Sequence, residues 1–285
     1  MDRIIDPDDG RLDPYRRLND VGFRRRFEAA SGLFIAEGLA VVTRLLGSEL
    51  GAESVLCLES VHHRLPATGS VPVFVVDRQT MSAVVGFDLH RGVVASARRP
   101  DPAPVASLLE LASLAVIEGV NDHENLGAVL RAAVGLGMAG VLVDPTTADP
   151  WYRRSVRVSM GALFSVPIAR SLSWAADLAA VKRAGFTLVA MTPAPDATPI
   201  GEIAVGRPAV MVGAEGPGLS DTAMQAADVR VRIPLTGIDS LNVGQAAAIA
   251  YAALHTARDQ GAGGSLPGGS LPGGSLPGGR LTGGR

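Results

Sequence analysis

Three segments of this chain set polar side chains and glycines at the ends of apolar runs, where strand-end chemistry is done. The first is Glu118-Gly-Val-Asn121-Asp-His-Glu-Asn125-Leu-Gly127-Ala-Val-Leu-Arg131. An apolar strand gives way to a polar turn and then a helix, with Asn125 expected as its N-cap. Arg131, between Leu130 and Ala132, reads equally as a functional guanidinium and as a surface residue of an amphipathic helix. The second is Val212-Gly213-Ala214-Glu215-Gly216-Pro-Gly218-Leu-Ser220-Asp221. Its glycines let backbone approach a ligand closely, or simply make a tight turn before a helix that Ser220 or Asp221 caps. A charged Glu215 at a strand end favours the ligand. The third is Val231-Arg-Ile233-Pro-Leu235-Thr-Gly237-Ile-Asp-Ser240-Leu241-Asn242-Val243, ahead of an alanine-rich helix. Ser240 and Asn242 serve there either as reactive-site residues or as helix caps.

Other chemistries drop out. Cys57 is the single cysteine, so neither an intrachain disulfide nor a cysteine zinc site is expected. His62, His63, His90, His123 and His255 do not fall in a helical metal-binding pair, and no metal is expected. Gly135-Leu-Gly137-Met-Ala-Gly140 spells a dinucleotide fingerprint but closes a helix instead of opening one. Neither a P-loop nor a nucleophile elbow is present.

The segments need a scaffold that brings strand ends together. The chain has 285 residues, long enough for two domains. Three prolines in Arg99-Pro-Asp-Pro-Ala-Pro-Val105 mark a boundary. Domains are expected at 1–104 and 105–260. Residues 261–285, with Ser-Leu-Pro-Gly-Gly repeated three times, are expected as a flexible tail. In the first half, helices are expected at 14–29, 38–47 and 79–86, and strands at 32–37, 54–58, 71–77 and 92–96, a small α/β sandwich. In the second, strands are expected at 113–119, 139–143, 187–191, 208–213 and 229–233. Helices should fall at 126–137, 152–162, 173–184, 219–226 and 242–260. Runs such as Pro208-Ala-Val-Met-Val-Gly213 lack alternation, which indicates a parallel sheet covered on both faces. Ligands bind beyond the carboxyl ends of such strands.

The net charge is −2, so nucleic acid could be bound only through local patches. Arg16, Arg17 and Arg24, Arg25, Arg26 form one candidate patch; Trp151, Tyr152, Arg153, Arg154 and Arg157 form another. Solvated helix faces are the equal alternative for both. The acidic start and the lack of a long apolar run suggest no leader and no membrane span, hence a cytoplasmic protein.

Taken together and in order, the three segments resemble the motifs of the SpoU/TrmH family of RNA ribose 2′-O-methyltransferases, in the knotted SPOUT superfamily. Asn125 and Arg131 match the first motif. Gly213, Glu215, Gly216, Gly218, Leu219 and Ser220 match the second, and Ile233-Pro234 with Ser240–Val243 the third. Phe34-Ile-Ala-Glu-Gly38 and His90-Arg-Gly-Val-Val-Ala95 look like the family's ribosomal-protein-like substrate-binding domain. The resemblance implies an α/β fold with a deep trefoil knot, a homodimer whose sites combine both subunits, and S-adenosyl-L-methionine as cofactor. It implies that Val212, Gly213, Ala214, Gly216, Gly218, Ile233, Leu235, Leu241, Asn242 and Val243 hold the cofactor. Arg131 would orient and activate the hydroxyl, Asn125, Ser240 and Asn242 would position it, and Glu215 would order the turn. RNA is the implied partner, 23S rRNA ahead of tRNA because of the two-domain layout. The family usually continues the third motif with Ser and Val; Gly244-Gln245 here departs from it and keeps a non-catalytic RNA-binding role open.

Overall fold

The structure, a computed structural model, describes residues 2–261, without the side chains of Arg25, Ala29 and 255–261. The repeat-bearing tail expected at 261–285 lies, beyond its first residue, outside the described residues.

Two sheets divide the chain on either side of the proline-rich stretch. The first half contributes β1 (Asp2–Arg3), β2 (Leu33–Glu37), β3 (Ser54–Leu58), β4 (Val73–Val76) and β5 (Val93–Arg98), in the order β1-β4-β3-β5-β2. Its pairings are parallel for β1/β4 and β4/β3, antiparallel for β3/β5 and β5/β2. Helices α1 (Val21–Ser31), α2 (Leu39–Leu46), α3 (Glu59–His62) and α4 (Arg78–Val85) connect them. The second half contributes β6 (Leu114–Glu118), β7 (Gly140–Val143), β8 (Ile168–Arg170), β9 (Thr187–Met191), β10 (Thr198–Pro199), β11 (Pro208–Gly213) and β12 (Val229–Arg232). All seven are parallel, ordered β10-β12-β9-β11-β6-β7-β8. Around them lie α5 (Val105–Leu108), α6 (His123–Gly135), α7 (Arg153–Val158), α8 (Trp174–Arg183), α9 (Asp221–Ala226) and α10 (Val243–Gly261).

The unbroken apolar strands are buried as their composition demands. One face of the second sheet packs with α6 and α10 through Val129, Leu130, Ala247 and Tyr251. The opposite face packs with α8 through Leu178 and Val181. From β6 the chain builds outward to β7 and β8, then returns to the other side of β6 through β9 and β11. The order therefore reverses between β6 and β11, the place where parallel sheets open a crevice for ligands. Register sets Gly213 beside Glu118, so the ends of the first two candidate segments are neighbours.

The two halves share a core. Phe34 of β2 meets Trp151 and Phe164 of the second half, with ring centroids 5.1 and 5.8 Å apart. Val156 and Leu163 belong to the same cluster as Val41, Val42 and Leu45 of α2.

Several expectations need correction. The helix expected at 14–29 is two elements, a 3₁₀ helix at Gly10–Tyr15 and α1. Arg17 takes a left-handed φ of 49° between them, and Asp20 restarts the helix as its N-cap. Helix α6 starts earlier than expected and is capped by Asp122, whose carboxylate accepts from the backbone of Glu124 and Asn125; Asn125 is therefore not the cap. The segment 152–162 is not one helix: α7 ends at Val158 and a 3₁₀ helix begins at Ala162, because Met160 and Gly161 between them adopt left-handed φ of 56° and 71°. The short strands β1, β8 and β10 have too few residues to show in an apolar pattern.

Candidate active site

Gly213 ends β11 and is held under the following turn. A Cβ there would lie 2.3 Å from the Gly218 carbonyl carbon, so no other residue lets the loop fold back this tightly. Gly216 and Gly218 take φ of 92° and 72°, which glycine alone adopts without strain. A backbone bridge between Ala214 and Gly218 closes the turn. Ser220 then caps α9, accepting from the Ala223 amide, as expected.

This turn and the loop before α10 enclose a cavity of about 350 Å³. Every cofactor residue expected from the sequence lines it except Asn242: Val212, Gly213, Ala214, Gly216, Gly218, Ile233, Leu235, Leu241 and Val243. Ser240 and Glu215 line it too. Sequence reasoning missed Met191, Thr192, Pro193 and Asp239 on the same wall. The first three sit at a parallel strand's carboxyl end, Met191 closing β9 and Thr192 and Pro193 following it, and that position was the available signal.

Asn242 stands at the lip and joins the three segments. Its amide nitrogen donates to Asn125 Oδ1 at 2.9 Å and to Glu215 Oε1 at 2.6 Å. Its oxygen accepts from the Gly244 amide at 2.9 Å, so both donor hydrogens and one acceptor lone pair are engaged. Asn125, Glu215 and Asn242, distant in sequence, thus form one polar cluster at the sheet's switch point.

A second cavity, about 660 Å³, opens on the other side of the turn and shares Ala214, Glu215, Gly218 and Val243 with the first. Asn121, Asn125, Thr146 and Asp144 line it. Glu118, 7% exposed, accepts from the Ser220 amide at 2.8 Å and from its hydroxyl at 2.6 Å, fastening β6 to the glycine turn. Buried Asp144 accepts from the amides of Gly119, Thr146 and Thr147. Burial raises its carboxyl pKa, but these hydrogen bonds outweigh burial and hold it below the usual carboxylate value. Neither carboxylate was chosen from the sequence, where each reads as an ordinary strand-end acid. The His123 ring meets the Tyr152 ring at a tilt, with centroids 4.3 Å apart, and burial pushes its pKa down.

Arg131 is not part of this cluster within one chain. It is exposed on α6 and lines a different cavity, between the two halves. The arginine patches are also redistributed. Arg24, 1% exposed, pairs with Glu28 and donates to the Pro14 carbonyl, so it braces α1. Arg153, 6% exposed, pairs with Glu37 and donates to Leu18 O and Asn19, so it joins the two halves. Neither is available to RNA. Arg16 pairs with Asp13 and Asp8, and Arg157 with Glu37 and Glu124. Arg17, Arg26 and Arg154 are exposed. The Arg25 side chain lies outside the described residues. Among the described residues, no group of three or more metal-ligating side chains converges, and no helix is long and apolar enough to cross a membrane.

Comparison with known proteins agrees with this geometry. Residues 113–252 match the SpoU rRNA Methylase family. The chain is 44% identical over 260 residues to a protein of Mycobacterium tuberculosis described as an uncharacterized tRNA/rRNA methyltransferase, covering 87% of this chain and 89% of that one. It is 33% identical over 193 residues to a 23S rRNA (guanosine-2′-O-)-methyltransferase of Burkholderia, covering 65% of this chain and 77% of the relative. The AdoMet-bound rRNA methyltransferase of Sinorhizobium meliloti has the same fold, with a TM-score of 0.74 at 24% identity over 91% of this chain and 98% of that one. With the glycine turn, the asparagine cluster and the switch-point cavity in their places, the chain belongs to the SpoU rRNA methylase family.

Proposed function

We propose that this protein transfers a methyl group from S-adenosylmethionine to a ribose 2′-hydroxyl of RNA, with 23S rRNA the substrate ahead of tRNA. The observation that carries the reading is the Asn125–Asn242–Glu215 cluster at the lip of the glycine-walled cavity.

The residues present fit the cofactor. The cavity volume falls within the range of small-molecule sites. Nothing stands within 4 Å of where a Gly216 or Gly218 Cβ would be, so backbone lies open to a ligand there. Ile233, Leu235 and Leu241 offer apolar surface, while Glu215 and Asp239 place negative charge along the wall. Such charge suits a sulfonium cation. When bound, the cofactor supplies an electrophilic methyl group. Gly213, Gly216 and Gly218 shape its bed. Asn242 holds Glu215 and Asn125 in a fixed relation, and the polar cavity beside them admits the target nucleotide. Ser240 and Asn125 position the ribose. Orientation of this kind lowers a barrier substantially without any further chemistry from the protein.

A free guanidinium is a poor base because its pKa is too high. Arg131 therefore orients and polarises the hydroxyl, with a substrate phosphate assisting. It does so across a homodimer, because within its own chain it stands outside the cofactor cavity. Exposed Ile249 on α10 and Ile238 in the loop before it supply apolar contact for the second copy. The first half, with Arg17, Arg26 and the exposed Arg154, grips RNA. The chain entering α10 closes the family's trefoil knot, and the protein works in the cytoplasm.

The test is to incubate the protein with labelled cofactor and total RNA, then digest with alkali. Label in alkali-resistant dinucleotides from 23S rRNA is expected. Label confined to tRNA overturns the rRNA assignment, and label on bases overturns ribose methylation.

A further inference from the structure

We infer that the cleft between the two halves binds a single-stranded stretch of RNA beside the target nucleotide, through its phosphates and one base. This rests on the RNA reading above and adds where the substrate lies.

The cleft has a volume of about 960 Å³ and is separate from both cavities of the candidate active site. Arg44, Ser48 and Glu49 come from the first half, Arg131 and Phe164 from the second. Neither Arg44 nor Arg131 pairs with a carboxylate among the described residues, whereas Arg24, Arg99 and Arg153 all do. Arg44 makes a single bond, donating to the Met160 carbonyl at 2.7 Å. That carbonyl belongs to one of two non-glycine residues with left-handed backbone among the described residues, so Arg44 pins strained chain at the cleft edge. The ring of Phe164 is partly exposed on the same wall.

Two cations and an aromatic surface in one groove match the needs of single-stranded RNA, which binds by phosphate contacts and base stacking. Double-stranded RNA stacks its bases internally and has none to offer Phe164. The position fits as well. Arg131, which reaches the ribose site of the second copy in the dimer proposed above, lines this cleft, so the cleft begins beside the target nucleotide of that site. Glu49 is the one carboxylate lining the cleft, and it opposes the phosphates.

Fluorescence anisotropy of a short fluorescein-labelled single-stranded oligoribonucleotide with the full chain reads the binding. Arg44→Glu is expected to weaken it by about tenfold or more and to lower its salt dependence, while Arg44→Lys keeps most of it. Glu49→Lys is expected to tighten binding several-fold, a gain that a folding defect does not produce. Cofactor affinity by calorimetry should be unchanged in each variant. A parent chain that methylates RNA, with Arg44→Glu and Glu49→Lys both binding the oligoribonucleotide as the parent does, overturns the cleft assignment. Binding of the duplex form alone overturns it too. A parent chain that transfers no methyl group to any RNA overturns the reading beneath it instead.

Discussion

At the residue scale, one exposed asparagine connects segments more than a hundred positions apart. Asn242 is held by Asn125, Glu215 and the backbone of Gly244. Asn242→Ala removes the side chain that hydrogen-bonds both Asn125 and Glu215. Methyl transfer should fall by about 10²-fold while cofactor affinity and melting temperature stay close to the parent's. A variant that retains full turnover would remove the cluster from the mechanism. Asp144 makes a second prediction. Its carboxyl pKa is depressed in the fold, so it stabilises the native state above the unfolded value of 3.8 and that contribution is lost as pH falls through the lower folded value. Asp144→Asn should therefore reduce stability near neutrality and flatten its loss in acid, as chemical denaturation across pH will show. The cavity-lining residues were legible because glycines, small apolar residues and amides announce a strand-end site by type. Arg24 and Arg153 were misread because a sequence shows charge but not the carboxylate that meets it. Glu28 meets Arg24 one helical turn later on the same helix, whereas Glu37 meets Arg153 from a strand that periodicity cannot assign to it.

At the element scale, the departure at Gly244 has a steric reason. A Cβ there would come within 2.9 Å of the Ala128 Cβ, so α10 lies hard against α6. Gly127 does the same toward α7, where a Cβ would meet Val158 at 2.7 Å. Gly244→Leu should push the helices apart, costing about 1–3 kcal/mol and displacing Asn242 from its partners. Denaturant melts read the first effect, and loss of transfer reads the second. The long strands β9 and β11 were legible to the residue, since an apolar run bounded by glycine or proline has few other solutions. The helix expected at 14–29 failed because an arginine-rich stretch has good helix propensity on either side of Arg17. Only the tertiary fold holds that residue left-handed.

At the scale of the whole molecule, Arg131 and the asparagine cluster are expected to meet only across two copies. Arg131→Ala and Asn242→Ala chains, each largely inactive alone, should regain transfer when mixed and allowed to exchange subunits. Continued inactivity of the mixture, with exchange demonstrated, would show that each chain works alone. The two halves of one chain are tied differently, by the Phe34–Trp151–Phe164 rings and the buried Glu37–Arg153 pair. Glu37→Gln leaves Arg153 buried without its charge partner and should cost about 3–5 kcal/mol. Calorimetry should show one unfolding transition in the parent chain. The prolines near 99–105 mark a change in the chain, but the core shared across them was not legible, because aromatic residues at 34, 151 and 164 carry no mark of one another.

That shared core gives the molecule a fixed span. A domain on a loose tether would let any grasped RNA sample many positions. Here the seam of rings and ion pair packs the first half against the second as an arm. An RNA held by that arm would present its ribose at a set distance, so the enzyme would choose its nucleotide as a caliper does, by measuring.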